Sequence, residues 1–371
     1  MKTNFFIFLA LCFSFCLLNS LLFPIQAQTP MKNYASEWQK IDTLVMKQGL
    51  TRSALTAVNN IYGSALKEGN QIQVLKALIY QVMLEENVTE NDHLDGIQKL
   101  EKNLLVLREP ARSVLSNVIA ERYWQYFRDN RWKFYNRTAT TGFKKEDPAT
   151  WAAEDFHSVI TSFYLQSIKN GQQLQSTSLE PFDAIIIKGN VRNLRPTLYD
   201  LLAQRALNYF KNDERTITKP AYSFEIADEA AFAPAETFIR HTFATSDTLS
   251  PYYHAVLLFQ KLMQLHTGDK TKDAFIDLDI NRLEFIKDHA VMIDKHTLYQ
   301  KALKHITDKF GYLPAASQAW FLQASIHAEN ARTYQPLINE THRFEWIKAK
   351  EICEKLVSQK DSSEGKANAF N

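Results

Sequence analysis

The chain has 371 residues with 43 basic and 41 acidic side chains, a net charge of +2 that gives no field to draw in nucleic acid or an acidic lipid surface. Glycine (10) and proline (11) are scarce, glycine well below its usual share of roughly 7%. Few positions then demand positive φ or break a helix, so long helices joined by short loops are favoured.

Lys2, an apolar run from Phe5 to Phe23 and the sequence Pro24-Ile25-Gln26-Ala27-Gln28 read as an export signal, residues 1–27, with cleavage expected after Ala27. The alternative is an uncleaved anchor, because the run approaches the ~20 residues that span a bilayer; Asn19, Ser20 and Pro24 argue against it. Lipidation would need a small residue before a cysteine, whereas Leu11 precedes Cys12 and Phe15 precedes Cys16. After cleavage Cys353 alone remains, so no intramolecular disulfide can form and stability must come from packing. No second apolar run is long enough to span a membrane, and the expected location is the periplasm, the outer membrane or the cell exterior.

Four amphipathic helices come first. Trp38, Ile41, Leu44 and Val45 share a face over Tyr34 to Gln48, closed by Gly49; Ala54, Leu55, Val58, Ile61, Tyr62 and Ala65 define a second, ended by Gly69; Ile72, Leu75, Leu78, Val82 and Met83 a third over Gln71 to Glu86; and Leu94, Ile97, Leu100 and Leu104 a fourth that opens at Thr89 to Asp92. Loops this short predict antiparallel hairpins. Pro110 starts a fifth helix, and the polar loop Thr138 to Asp147 carries the one candidate boundary, between a first helical array, 28–145, and a second, 146–371, the alternative being one continuous domain. Asp147-Pro148 supplies an N-cap and N1 proline for a helix to Gly171. Leu179 to Asn193, with Ile185-Ile186-Ile187, reads as a strand or a buried connector. Helix resumes at Pro196, loosens from Asn212 to Pro234, and returns at Pro251 to His266, Thr271 to His289, Asp294 to Phe310, Ala315 to Thr333 and Thr341 to Ser358, before a polar tail. The last two resemble a tetratricopeptide-like hairpin without a strict 34-residue period. The reading is an all-α, irregular alpha-solenoid of helical hairpins.

The densest cluster of side chains lies between Arg122 and Tyr135. If helix continues past Asn130, Trp124, Arg128 and Trp132 form one aromatic-arginine-aromatic ladder and Phe127, Arg131 and Tyr135 a second, each allowing cation–π stacking. Such ladders are either a platform for a sugar or peptide or, the favoured reading, a core seam. Asp277, Asp279, Asn281 and Asp288 fit positions of a calcium loop, but Arg282 replaces the glycine that the turn needs and Asp288 is shorter than glutamate, so no metal is expected. His289, His296 and His305 lack a zinc-ligand spacing, and Cys353 on an apolar face reads as a buried inert thiol. Asn87, Asn136 and Asn339 head glycosylation triplets of a kind that arises by chance. There is no GxSxG, GxxxxGK or GxGxxG, so neither catalytic nor cofactor-binding residues are assigned.

The strings Arg122-Tyr-Trp-Gln-Tyr-Phe127 with Asn130 to Arg137, Leu194 to Ala203 with Arg205-Ala-Leu207, and Leu258 to His266 resemble the amino-terminal helical region of large Bacteroidetes-type bacterial alpha-2-macroglobulin family proteins. The resemblance spans most of residues 34 to 360. Family members continue into macroglobulin β-domains, a protease-bait segment and often a thioester, none of which is here, so the chain reads as a truncated, non-enzymatic helical head. The resemblance implies an exported scaffold of a protease-inhibitor protein, with proteases or envelope components as its protein partners. The alternatives are a helical-repeat module binding glycans or peptides through the ladder, and an alpha-alpha barrel polysaccharide-degrading enzyme, which needs two acidic residues facing across a cleft.

Overall fold

A computed structural model describes residues 33–89, 93–135, 137, 147–217 and 220–371. The export signal with Cys12 and Cys16, Asn136 and residues 138–146 of the polar loop lie outside the described residues.

Fifteen α-helices and several 3-10 turns make up the described secondary structure, and no strand occurs among the described residues. The chain divides into two compact units, one ending at Ala57 and the other starting at Val58. In the first unit, α1 (Tyr34–Met46) is capped by Asn33, whose side chain accepts from the Ser36 amide, and it buries Tyr34, Trp38 and Ile41. Gly49 takes φ +66°, which lets the Leu50 amide reach back to the Leu44 carbonyl and closes the helix. Helix α2 (Thr51–Glu68) carries the chain into the second unit.

That unit runs through α3 (Gln71–Thr89), α4 (His93–Lys102), α5 (Ala111–Asn130), α6 (Ala153–Ser167), α7 (Gly171–Gln175) and α8 (Leu198–Phe210). It continues through α9 (Ala235–Arg240), α10 (Pro251–His266), α11 (Asp273–His289), α12 (Lys295–Phe310), α13 (Ser317–Ala331), α14 (Glu345–Val357) and α15 (Glu364–Phe370). Packing passes mainly between sequence neighbours, α3 on α4, α4 on α5 and α5 on α6, then again from α9 on α10 through to α13 on α14, as expected of an array of helical hairpins. Helix α8 departs from this order by packing on α5, α6 and α10. Buried Asn117 of α5 explains the junction: its amide donates to Ser167 and to the Leu202 carbonyl, and its oxygen accepts from Arg205.

Three sequence expectations are corrected. The segment after Asp147 is a 3-10 turn, Pro148–Thr150, capped by that aspartate; Trp151 and Ala152 are extended, and helix starts only where Asp155 accepts the Ala152 amide. Leu179 to Asn193 is neither strand nor buried connector: Phe182 is buried in a 3-10 turn while Ile187 is fully exposed. The polar tail contains α15, whose Gly365 lies so close to α13 that an added Cβ would stand 2.1 Å from the Ser317 carbonyl carbon.

Candidate functional site

The proposed ladder separates into a core and a rim. Helix ends at Asn130 and a 3-10 turn, Arg131–Lys133, follows, so spacing by four no longer stacks side chains beyond it. Trp124 and Phe127 are buried; Arg128 is exposed and lies over the Trp124 ring at 5.5 Å. Trp132, 69% exposed, meets Lys133 instead of Arg128. Arg131 pairs with Glu214 at 2.6 Å, and the Tyr135 hydroxyl donates to the same carboxylate while its ring meets Phe127 edge-on. Around them the rings of α5, α6 and α8 form a continuous seam, with Phe134 and Phe156 at 4.6 Å, Trp124 and Tyr209 at 5.1 Å and Tyr164 and Tyr209 at 5.2 Å. Burial, with Arg215 adding, pushes the His157 imidazole in this seam down to about 4, so it packs neutral, its Nδ1 2.9 Å from the Tyr209 hydroxyl.

Two further polar groups lock the loosely patterned segments in place. Arg215 is buried and shared between Asp247, at 2.9 Å, and Glu154 of α6, at 2.8 Å, which ties the chain after α8 to α6. A cavity of about 90 Å³ beside it is lined by Phe224, Tyr252 and His289, but its buried charges are satisfied by each other. Arg282, where a calcium loop would need glycine, lies in the middle of α11: it donates to the Ala231 and Ala233 carbonyls, stacks on Phe238 at 4.3 Å and pairs with Asp279 at 2.6 Å. Burial drives Asp279 upward against that pairing. Asp277, Asp279, Asn281 and Asp288 therefore lie along one continuous helix. No group of potential metal ligands is present among the described residues. His289 packs on Tyr252 and Phe285, whereas His296 and His305 are exposed. Cys353 is half-buried rather than buried, and burial raises its thiol.

A cleft of about 720 Å³ runs along α11. Asp277, Asn281 and Glu284, spaced four and three apart, present one polar stripe of that helix. The other walls are the turn Arg192–Leu194 with Arg195, the start of α13 at Pro314 to Gln318, and the start of α15 at Asp361 to Glu364. Gly365 against Ser317 and the Asn368 amide on Gln318, at 2.9 Å, hold this last wall to α13. Five carboxylates, those of Asp273, Asp277, Glu284, Asp361 and Glu364, line the cleft against the single guanidinium of Arg195, which reaches Asp277 at 3.5 Å. Its apolar lining is aliphatic, with Val191, Leu194 and Ile280 and no aromatic ring.

Burial raises Asp277 above its ordinary 3.8, with Arg195 opposing and Glu364 adding. Burial likewise raises Glu284 above 4.5, with Lys287 opposing and Asp288 and Glu364 adding. Burial lowers Lys211 nearby, partly countered by Glu284. The cleft thus holds desolvated negative charge with too little positive charge to answer it. Sequence reasoning met Asp277 only as a failed calcium position and missed Arg195, Glu284, Asp361 and Glu364; the four-and-three polar spacing on α11 was the available signal.

The strings that carry the macroglobulin resemblance fall on α5, on the turn into α8 and on α10, and the last two meet where Asp200 contacts His266 at 3.0 Å. Compared with known proteins, the chain matches no family model, no curated protein and no solved structure.

Proposed function

We propose that this chain is an exported, non-enzymatic helical interaction scaffold whose cleft along α11 receives a cationic segment of another protein. The observation that carries the reading is the imbalance of five carboxylates against one guanidinium in a space of about 720 Å³. A lysine or arginine side chain supplies the missing charge, and its methylenes suit an aliphatic lining. A glycan is less well served, because sugar faces pack on rings; the cleft lining has none, and the ladder leaves only Trp132 wholly outside the core. The role as head of an alpha-2-macroglobulin-like envelope protein rests on the sequence strings, and proteases or envelope proteins are its proposed partners.

Titrating an octalysine peptide into the full chain by calorimetry tests the cleft. Saturable binding is expected near neutral pH, weakened by salt and lost in the Asp277→Asn, Glu284→Gln double variant without a fall in melting temperature. Binding should also fade as acid protonates the two carboxyls, starting above their ordinary 3.8 and 4.5. Absence of binding, or binding indifferent to the double variant, sinks the reading. A hydrolase reading draws on the same raised carboxyls, but Asp277 and Glu284 stand on one wall of α11; turnover of a polysaccharide panel abolished by Asp277→Asn would put it first.

A further inference from the structure

His266, in the last turn of α10, is 3% exposed and lies between two carboxylates: Nε2 is 3.0 Å from Asp200 Oδ1 and Nδ1 is 2.6 Å from Asp269 Oδ2. Carboxylate oxygens only accept, so both ring nitrogens must donate, and only the imidazolium does so. Asp200 is also the residue that closes the N-terminal capping box of α8, its Oδ2 accepting from the Thr197 amide at 3.0 Å and hydroxyl at 2.7 Å. Asp269 lies in the turn between α10 and α11, where Lys272 donates to the Thr267 and Asp269 carbonyls. Each carboxylate is therefore a few residues from one side of the cleft: Thr197 follows Arg195 and Pro196, and the Asp269 turn delivers Asp273 and then Asp277.

We propose that His266 is a protonation latch on the cleft, holding the Arg195 segment and the start of α11 together as the imidazolium and releasing them when it loses its proton. The charged groups acting on the ring are Asp200 of α8 and Asp269 of the turn, and Lys272 of the same turn is held on the Thr267 and Asp269 carbonyls. Glu236 and Arg240 of α9 and Lys309 of α12 surround the adjoining cavity with Gln264 and Thr267. Asp200 and Asp269 are the two in hydrogen-bond contact with the ring. Burial alone lowers the imidazole, and the two aspartates outweigh it, so the net shift is upward from 6.5. The latch is therefore fully closed below that value and opens as pH rises through the folded one. Its consequence for a ligand rests on the cleft reading; the latch itself does not.

Amide hydrogen exchange of the full chain, corrected for intrinsic rates, between about pH 6 and about pH 9, with the His266 ring followed by NMR, tests the latch. The Asp200 amide and those of Asp269 to Asp273 should lose protection as the ring deprotonates, roughly tenfold per pH unit from 6.5 up to its folded midpoint and no further above it, while α12 amides hold. Asp269→Asn, at the solvent-facing end of the pair, should move that loss to lower pH without emptying the core. Protection that stays constant through the ring's titration, a ring titrating below 6.5, or a loss unmoved in Asp269→Asn overturns the proposal. Because exchange needs no ligand, failure of octalysine to bind would sink the cleft reading alone. Octalysine binding that does not weaken at alkaline pH would sink the latch and spare that reading.

Discussion

The aromatic seam of α5, α6 and α8 and the cleft along α11 lie in the same compact unit, yet they use their side chains in opposite ways. In the seam the phenols and carboxylates pair within the fold, Tyr164 donating to Glu121, Tyr123 to Glu101 and His157 meeting Tyr209, although Ser116 Oγ, Trp151 Nε1 and His157 Nε2 are buried without a partner. In the cleft, Asp277 and Glu284 are half-buried and raised by that burial, which Arg195, at 3.5 Å from Asp277, and the lysines Lys211 and Lys287 oppose without overcoming. A region whose chemistry is satisfied internally contributes stability, whereas one left with uncompensated charge has something to offer a partner. Substitutions in the seam should therefore cost folding, and those in the cleft should cost binding.

The largest effect is expected from Phe127→Ala. Phe127 is fully buried among Trp124, Phe134, Phe156 and His157, so its loss should destabilise by about 3–5 kcal/mol, while Trp132→Ala, five residues on and exposed, should stay within about 0.5 kcal/mol. Denaturant midpoints at constant slope measure both. Comparable losses would erase the distinction between seam and rim.

Gly365→Ala should come next. Helix propensity alone would reward alanine by about 1 kcal/mol, but its Cβ would meet the Ser317 backbone at 2.1 Å, so the wall formed by α15 must shift at a cost of about 1–3 kcal/mol. Loss of octalysine binding together with faster proteolysis within α15 would place that wall in the binding structure. A stabilised variant that still binds would remove it.

The all-helical class was legible because apolar residues recur at three and four from Tyr34 onward, and because Ser250-Pro251 and Gly49 punctuate helices as local chemistry requires. The start of α6 was not legible, since Asp147-Pro148 caps a 3-10 turn as readily as an α-helix. The isoleucine run misled for a different reason: three β-branched residues say nothing of whether a partner strand exists, and among the described residues none does. Helix α15 was hidden because its stability comes from Gly365 lying against a backbone 48 residues earlier, a tertiary contact with no local signature. The cleft shared that fate: its carboxylates arrive from α11 and from the tail, and no spacing in sequence relates Glu284 to Glu364.

The smallest effect concerns Arg128, where sequence and structure agree on one rung and differ on the next. Spacing by four places Arg128 between Trp124 and Trp132, but the 3-10 turn after Asn130 leaves the Trp124 contact at 5.5 Å and gives Trp132 to Lys133 at 5.1 Å. An exposed cation–π contact contributes about 0.5–1 kcal/mol, so Arg128→Ala should lower stability by that amount. Trp132→Ala on top of it should add only its own small effect, because the two side chains share no contact and Trp132 meets Lys133 instead. A double-mutant cycle across Arg128 and Trp132 should therefore give a coupling near zero. A coupling of about 1 kcal/mol would mean that α5 winds past Asn130 in solution and that the first ladder closes after all, which would return Trp132 from the rim to the seam.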